Sequence, residues 1–204
     1  MEKLKSSLPN MVGVLVGFSI IIGGLLAYVN HITEGPIKQK EQQTLAAGIK
    51  TVMQNNNVKV ADPVTVKETI DGKTASFIIH PCADNSGKKI GSAVESTTNG
   101  FGGDLQVLVG FDNIGNILGY TILKSSETPG LGAKASVWFQ KNGKGNIIGM
   151  NPKDKPLTVS KDGGDVDAIT ASTITSRAFL KAINQAYAVY AKKNGIPPKD
   201  RRKI

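Results

Sequence analysis

The chain has 204 residues, of which 40% are hydrophobic and 20% are charged, and its formal net charge is +9. This composition excludes an intrinsically disordered chain and fits one domain of ordinary size plus an additional segment. The single cysteine, Cys82, excludes an internal disulfide and a metal site built from cysteine pairs, so we expect a buried structural thiol and no metal. Much of the positive charge lies at the two chain ends. Residues 194–204 form a basic tail, which is either a solvated surface or a contact for anionic lipid or another protein of the membrane. We expect a membrane, and no nucleic acid, among the partners.

An apolar run near the N-terminus predicts a membrane anchor. Residues 11–29 read MVGVLVGFSIIIGGLLAYV, and no charged residue occurs between Lys5 and Glu34. A helix of this length spans the hydrocarbon layer of a bilayer, so we predict a transmembrane helix at residues 11–30 after an N-terminal segment at 1–10. A cleaved signal peptide is the alternative, but the run is long and no small-x-small site follows it. Small residues four apart favour packing among other helices, whereas lysines on both sides leave the orientation open.

The remaining elements predict an α+β domain. Apolar spacing predicts a helix over residues 37–55, and alternation predicts strands at 64–70, 74–80, 91–96, 105–111 and 117–123. A loop at 125–132, a short helix at 133–139 and a short strand at 157–159 follow. The last element is a helix over residues 173–192 with apolar residues on one face, and Asn194-Gly195 ends it. The predicted fold is therefore a single N-terminal transmembrane helix followed by antiparallel strands with helices packed on them.

The loop at residues 125–132, SSETPGLG, is the first candidate binding segment. Pro129 fixes one backbone angle, while Gly130 and Gly132 permit unusual angles and let a flat ligand approach the main chain. Leu131, between the two glycines, could lie against an aromatic ring. An ordinary proline-glycine turn is the alternative interpretation.

Residues 167–176, DAITASTITS, form the second candidate segment because five hydroxyl side chains lead directly into a helix. The hydroxyl residues are Thr170, Ser172, Thr173, Thr175 and Ser176. A helix N-terminus offers free backbone N–H groups and partial positive charge, which attract phosphate, and Arg177 adds a cation nearby. The alternative is that the hydroxyl groups only cap the helix.

Together the two segments resemble the FMN-binding domain found in the G subunit of the Rnf ion-translocating oxidoreductase and in the C subunit of the sodium-pumping NADH:quinone oxidoreductase. The resemblance extends over the N-terminal membrane helix, the hairpin at residues 100–132 and the hydroxyl-rich helix start. The flavinylation motif of that family runs Asp, two free positions, Ser or Thr, Gly, Ala, Ser or Thr, one free position, Thr. Ala171 and Ser172 depart from it, where glycine and alanine are usual. The matching positions are Asp167, Thr170, Thr173 and Thr175.

The resemblance implies that FMN is bonded covalently to Thr175 as a phosphodiester, placed there from FAD by a dedicated FMN transferase. It also implies an FMN-binding domain at residues 91–193, after a connecting helix and hairpin region at 31–90. By analogy the first segment holds the ring or ribityl chain, and the second holds the phosphate end. The implied cofactor-binding residues are Glu127, Thr128, Gly130, Leu131, Gly132, Thr170, Ala171, Ser172, Thr173, Thr175 and Ser176.

The function implied by the resemblance is electron relay in an Rnf complex, which couples electron flow between ferredoxin and NAD to ion movement. The partners would be the other membrane subunits, and the soluble domain would lie outside the cytoplasm with the N-terminus inside. The chain has no P-loop, dinucleotide fingerprint or iron–sulfur cysteine set, so it is not expected to catalyse the overall reaction alone. Two alternatives are a free-standing flavinylated electron carrier and a membrane-anchored binding module without flavin.

Overall fold

The computed structural model describes residues 7–70 and 72–196. Most of the predicted N-terminal segment and of the basic tail therefore lies outside the described residues. The chain divides into two compact units, Met1–Thr44 and Leu45–Ile204.

The first helix, α1, spans Leu8–Val52. Its most apolar stretch of 18 residues has a mean hydropathy of 2.4 and contains no buried residue. Among the described residues it is the one helix long and apolar enough to cross a membrane, which supports membrane anchoring.

Residues 37–52 are helical as predicted, but they do not form a separate helix, because α1 continues through Pro36 without a break and ends at Val52. A proline inside a helix removes one backbone hydrogen bond, but residues 38–43, KQKEQQ, are good helix formers. Lys38 pairs with Glu34 one turn earlier, with an N–O distance of 2.6 Å.

Six antiparallel strands form one sheet. Their bounds are Lys59–Val60 (β1), Val64–Ile70 (β2), Lys73–Ala83 (β3), Lys89–Asn99 (β4), Asp104–Asp112 (β5) and Ile117–Ser125 (β6). β1 and β2 both pair with β3, and β3, β4, β5 and β6 then follow in chain order. The strands predicted from alternation are all confirmed. β3 pairs with β4, and β4 contains residue 90, so the strands before this residue and those after it belong to the same sheet.

Helices cover both faces of this sheet. The last helix, α3 (Thr173–Lys193), packs against β4 and β5, where the rings of Phe111 and Tyr190 stack with centroids 5.0 Å apart. The end of α1 packs on the other face, where Val52 joins a cluster with Leu108 and Cys82. Because both faces are covered, most of β4 is buried. Cys82 is buried as expected, and burial raises the pKa of its thiol.

The last turns of α1 approach the sheet closely because two strand glycines lie beneath them. A Cβ atom at Gly110 would lie 2.4 Å from the carbonyl oxygen of Val52, and one at Gly119 would lie 3.0 Å from the same atom. Side chains at either position would push the helix off the sheet.

The segment between β6 and α3 is irregular. It contains a 3-10 turn at Gly132–Lys134, the short helix α2 (Ala135–Trp138) and a second 3-10 turn at Ser160–Asp162. The predicted short helix is thus confirmed, and Phe139 after it stacks on Phe179 of α3 with ring centroids 4.4 Å apart. The predicted strand at residues 157–159 is wrong, because the chain there makes only one isolated bridge, between Val159 and Val166, and then enters the second 3-10 turn.

Candidate functional site

The two candidate segments meet at Thr175, in the first turn of α3. Thr175 is completely buried, and its Oγ1 donates a hydrogen bond to Glu127 Oε2 at 2.9 Å. Ser172 Oγ lies 3.2 Å from the same threonine oxygen. The fold therefore joins a carboxylate and a hydroxyl group that are 48 positions apart in the sequence.

Glu127 is also held from a third segment, a glycine-rich turn before β5. Its other oxygen, Oε1, accepts the backbone N–H of Phe101 at 2.7 Å. The turn closes through a hydrogen bond from Gly100 N–H to the Gly103 carbonyl at 2.8 Å. A Cβ atom at Gly100 would lie 2.1 Å from Glu127 Oε1, so only glycine leaves room for the carboxylate there. Sequence reasoning treated this turn only as a break, although its density of glycines was a usable signal.

The backbone near Gly132 covers the Thr175 hydroxyl. A Cβ atom at Gly132 would lie 2.8 Å from Thr175 Oγ1 and 2.3 Å from Glu127 Oε2. Thr128 closes this segment, because its carbonyl accepts the N–H groups of Leu131 and Ala133, both at 3.2 Å. The segment is thus a proline-glycine turn that also packs directly on the threonine.

The loop that leads into α3 has an unusual backbone. Ala171 has a φ of 60°, in the left-handed region that glycine adopts at low cost. This conformation gives a physical reason for the glycine that is usual at this motif position. The chain then enters the helix at Ser172.

The hydroxyl groups do not form an ordinary helix cap. Among the described residues, Ser172 at the N-cap position makes no side-chain hydrogen bond to the backbone of the helix. Ser176 instead closes the loop, since its Oγ accepts the Ile169 N–H at 2.9 Å and donates to the Ser172 carbonyl at 2.9 Å. The first N–H groups of α3 therefore stay available to an anion.

The cation at this helix start is not the one expected from the sequence. Arg177 forms a bidentate pair with Asp162, at 2.6 and 2.7 Å, and its guanidinium holds the pKa of that carboxyl below its usual range. Lys161 instead contacts the motif directly, with Nζ 3.2 Å from the half-buried Thr173 Oγ1. Sequence reasoning missed Lys161 because it comes from a separate turn before the motif.

Asp167 and Thr170, two further residues that match the motif, have different surroundings from Thr175. Asp167 stabilises the loop, because its carboxylate accepts the Ser160 hydroxyl at 3.2 Å and its carbonyl accepts the Trp138 indole N–H at 2.8 Å. Thr170 is exposed to solvent.

Three exposed apolar side chains belong to the residues around Thr175 and Glu127 or to their neighbours in sequence. Phe101, whose N–H binds Glu127, is 70% exposed, and Ile174, which precedes Thr175, is 53% exposed. Leu131, which precedes Gly132, is 42% exposed. Such side chains suit a flat aromatic ligand, while the helix N-terminus and Lys161 suit a phosphate. The residues present therefore fit a flavin mononucleotide better than a simple anion.

Comparisons with known proteins agree with this geometry. Residues 100–188 match the family model described as the FMN-binding domain. The chain is 32% identical over 192 residues to the G subunit of the ion-translocating oxidoreductase complex of Shewanella piezotolerans, covering 89% of this chain and 88% of the relative. It is 32% identical over 193 residues to the G subunit of the Na(+)-translocating ferredoxin:NAD(+) oxidoreductase complex of Acetobacterium woodii, covering 87% and 88%. The crystal structure of Shewanella oneidensis NqrC is similar in fold, with a TM-score of 0.52 at 17% identity, covering 78% of this chain and 100% of that chain.

Proposed function

This chain belongs to the family of G subunits of ion-translocating oxidoreductase complexes, and we propose that it relays electrons in such a complex through FMN attached covalently to Thr175. The observation that carries the covalent attachment is the buried hydrogen bond between Thr175 and Glu127. This hydrogen bond lies within the residues that match the FMN-binding domain. It also distinguishes Thr175 from the other hydroxyl residues of the segment, because Thr175 is the one bonded to this carboxylate.

The residues around Thr175 have complementary roles in this proposal. Thr175 Oγ1 would form the phosphodiester bond, while the N-terminus of α3 and Lys161 would offset the negative charge of the phosphate. Leu131, Phe101 and Ile174 would contact the isoalloxazine ring with their exposed apolar side chains. When bound in this way, FMN supplies reversible electron transfer through a ring that the linkage leaves unmodified. The covalent tether keeps the cofactor at high local concentration and prevents its loss.

The remaining cofactor-binding assignments belong to this same proposal. Thr128 and Gly130 would shape the turn that lies over the threonine, and Ala171, Ser172 and Ser176 would hold the loop at the start of α3. Thr170, which is exposed, would contact the phosphate end of the cofactor.

The proposal extends to the placement of the chain in the membrane. Helix α1 would anchor the chain with residues 1–10 in the cytoplasm, and the FMN-binding domain at residues 91–193 would lie outside it. The proposed partners are the other membrane subunits of the complex and, during maturation, an FMN transferase that uses FAD. Small residues four apart in the apolar stretch support packing against neighbouring membrane helices.

The attachment is tested by expressing the full chain with an FMN transferase and examining flavin fluorescence after denaturing electrophoresis. We expect a fluorescent band for the wild type, none for Thr175→Ala, and an unchanged band for Thr51→Ala, which removes an exposed hydroxyl elsewhere. Fluorescence that survives Thr175→Ala but disappears in Thr173→Ala would assign the attachment to Thr173 instead. Absence of fluorescence in the wild type would favour a binding module without flavin.

Membership in a complex is tested separately by isolating the tagged chain from its native membrane in mild detergent. We expect other membrane subunits to be recovered with it. Recovery of the flavinylated chain alone would instead indicate a free-standing electron carrier.

A further inference from the structure

Thr175 and Glu127 form a buried pair with the geometry of a nucleophile and its base. A threonine hydroxyl is a weak nucleophile, and it reacts with phosphorus only when a group nearby accepts its proton. A base must lie about 2.6–3.2 Å from the atom that loses the proton, and Glu127 Oε2 lies 2.9 Å from Thr175 Oγ1. We propose that Glu127 is the catalytic base of flavin attachment, so that this chain contributes to the catalysis of its own modification.

The inference rests on the proposed function, since it concerns the reaction that places FMN on Thr175. In that reaction a new bond forms between Thr175 Oγ1 and the phosphorus of the FMN half of FAD. The bond that breaks is the one between this phosphorus and the bridging oxygen of the pyrophosphate, and AMP leaves with that oxygen. The proton of the Thr175 hydroxyl passes to Glu127 Oε2 and then to solvent. Nothing is oxidised or reduced, so FAD is the only co-reactant required.

The hydrogen-bond directions support this assignment. Because the Thr175 hydroxyl donates its proton to Glu127, the neighbouring Ser172 hydroxyl must act as donor toward Thr175 Oγ1. The threonine proton therefore already points at the carboxylate, and the serine fixes the side chain from the other side.

Burial of the hydroxyl is compatible with the reaction because Glu127 is anchored independently of the segment that covers Thr175. The backbone at Gly132 lies over the hydroxyl, whereas Glu127 is held by the Phe101 N–H at 2.7 Å. The covering segment includes the exposed Gly130, with a φ of 77°, and no atom lies within 4 Å of the Cβ position there. In the proposed reaction residues 130–132 move aside for FAD while the bond between carboxylate and hydroxyl stays in place.

The substitution Glu127→Gln separates this role from a purely structural one. The amide oxygen of glutamine still accepts the Phe101 N–H, so the anchor to the glycine-rich turn is kept. The amide nitrogen then faces Thr175 Oγ1 as a donor and cannot take a proton. Glu95→Gln is the matched control. Glu95 lies on β4, is as buried as Glu127 and is also held by two hydrogen bonds, with His80 at 2.7 Å and from Gln106 at 3.0 Å.

The experiment measures initial rates of modification of the full chain in detergent with purified FMN transferase, FAD and Mg²⁺, read as flavin fluorescence in denaturing gels. We expect Glu127→Gln to lower kcat about 100-fold or more with KM nearly unchanged, as for the loss of a general base. Glu127→Asp, which keeps the carboxylate, should retain more activity than Glu127→Gln, and Glu95→Gln should be modified at the wild-type rate.

Three results would overturn the inference while leaving the attachment at Thr175 intact. They are a wild-type rate for Glu127→Gln, an effect confined to KM, and an equal loss of rate in Glu95→Gln. A wild type that gains no flavin, or a Thr175→Ala variant that does, would overturn the proposed function and this inference together.

Discussion

Replacing Ala171 by glycine should stabilise the folded unit. The left-handed backbone at this position costs an alanine about 1–2 kcal/mol, and glycine adopts it freely. Glycine in turn loses about 0.4–1 kcal/mol more conformational entropy on folding. Ala171 is exposed, so its removal sacrifices little packing. The net expectation is a gain of about 1 kcal/mol, which raises Tm by about 2–4 °C in a unit of this size.

Thermal unfolding of the full chain in detergent, followed by tryptophan fluorescence, measures this gain. Trp138 is the single tryptophan, and its indole N–H binds the Asp167 carbonyl, so the signal reports on the unit that contains the motif. The control is Ala47→Gly, an exposed position within α1, which should destabilise by about 1 kcal/mol because glycine is a poor helix former. If Ala171→Gly lowers Tm as the control does, the left-handed conformation of Ala171 is refuted.

Three further predictions concern other parts of the folded unit. Gly132→Ala should abolish flavin attachment in the gel assay, because the added methyl group would lie 2.3 Å from Glu127 Oε2. Gly35→Ala should keep it, because Gly35 is an exposed helical residue and the added methyl group meets no atom within 4 Å. Glu95→Ala should cost about 2–3 kcal/mol in urea unfolding, since it leaves buried His80 without its carboxylate partner; a cost below about 0.5 kcal/mol would contradict this. Burial raises the pKa of Tyr190 to about 12, so the folded state keeps a proton that the unfolded state loses from about pH 10. Stability should therefore fall between about pH 10 and 12, and Tyr190→Phe should make that fall shallower in alkaline unfolding curves.

Much of the sheet was predictable because alternation of apolar and polar residues is a local property. The length of α1 was not predictable from the sequence. Pro36 follows the apolar run, and a proline at such a position usually indicates the end of a helix. The helix continues because losing one hydrogen bond at Pro36 costs less than the hydrogen bonds that surround it contribute.

The candidate site was predictable segment by segment, but its internal contacts were not. Spacing in sequence indicated phosphate affinity near Thr175 and a ligand loop containing Glu127, and it gave no reason to place one carboxylate oxygen 2.9 Å from the hydroxyl. The prediction that Arg177 supplies the cation at this site failed for the same reason. Arg177 is nearest to the motif in sequence, yet Asp162 binds it, and Lys161 reaches Thr173 from another turn.

The end of α1 sets a limit on how this protein can be cut. Val52 and Ile49 belong to the hydrophobic core of the folded unit, and the compact unit begins at Leu45. A protease that cleaved between Val52 and β1 would strip a helix from the sheet and expose Leu108 and its neighbours to water. Cleavage at the exposed residues 37–44 would instead release a fragment with its core complete. Limited proteolysis should therefore give a stable fragment that begins close to Leu45, and a soluble version of the domain should start there rather than at the first strand.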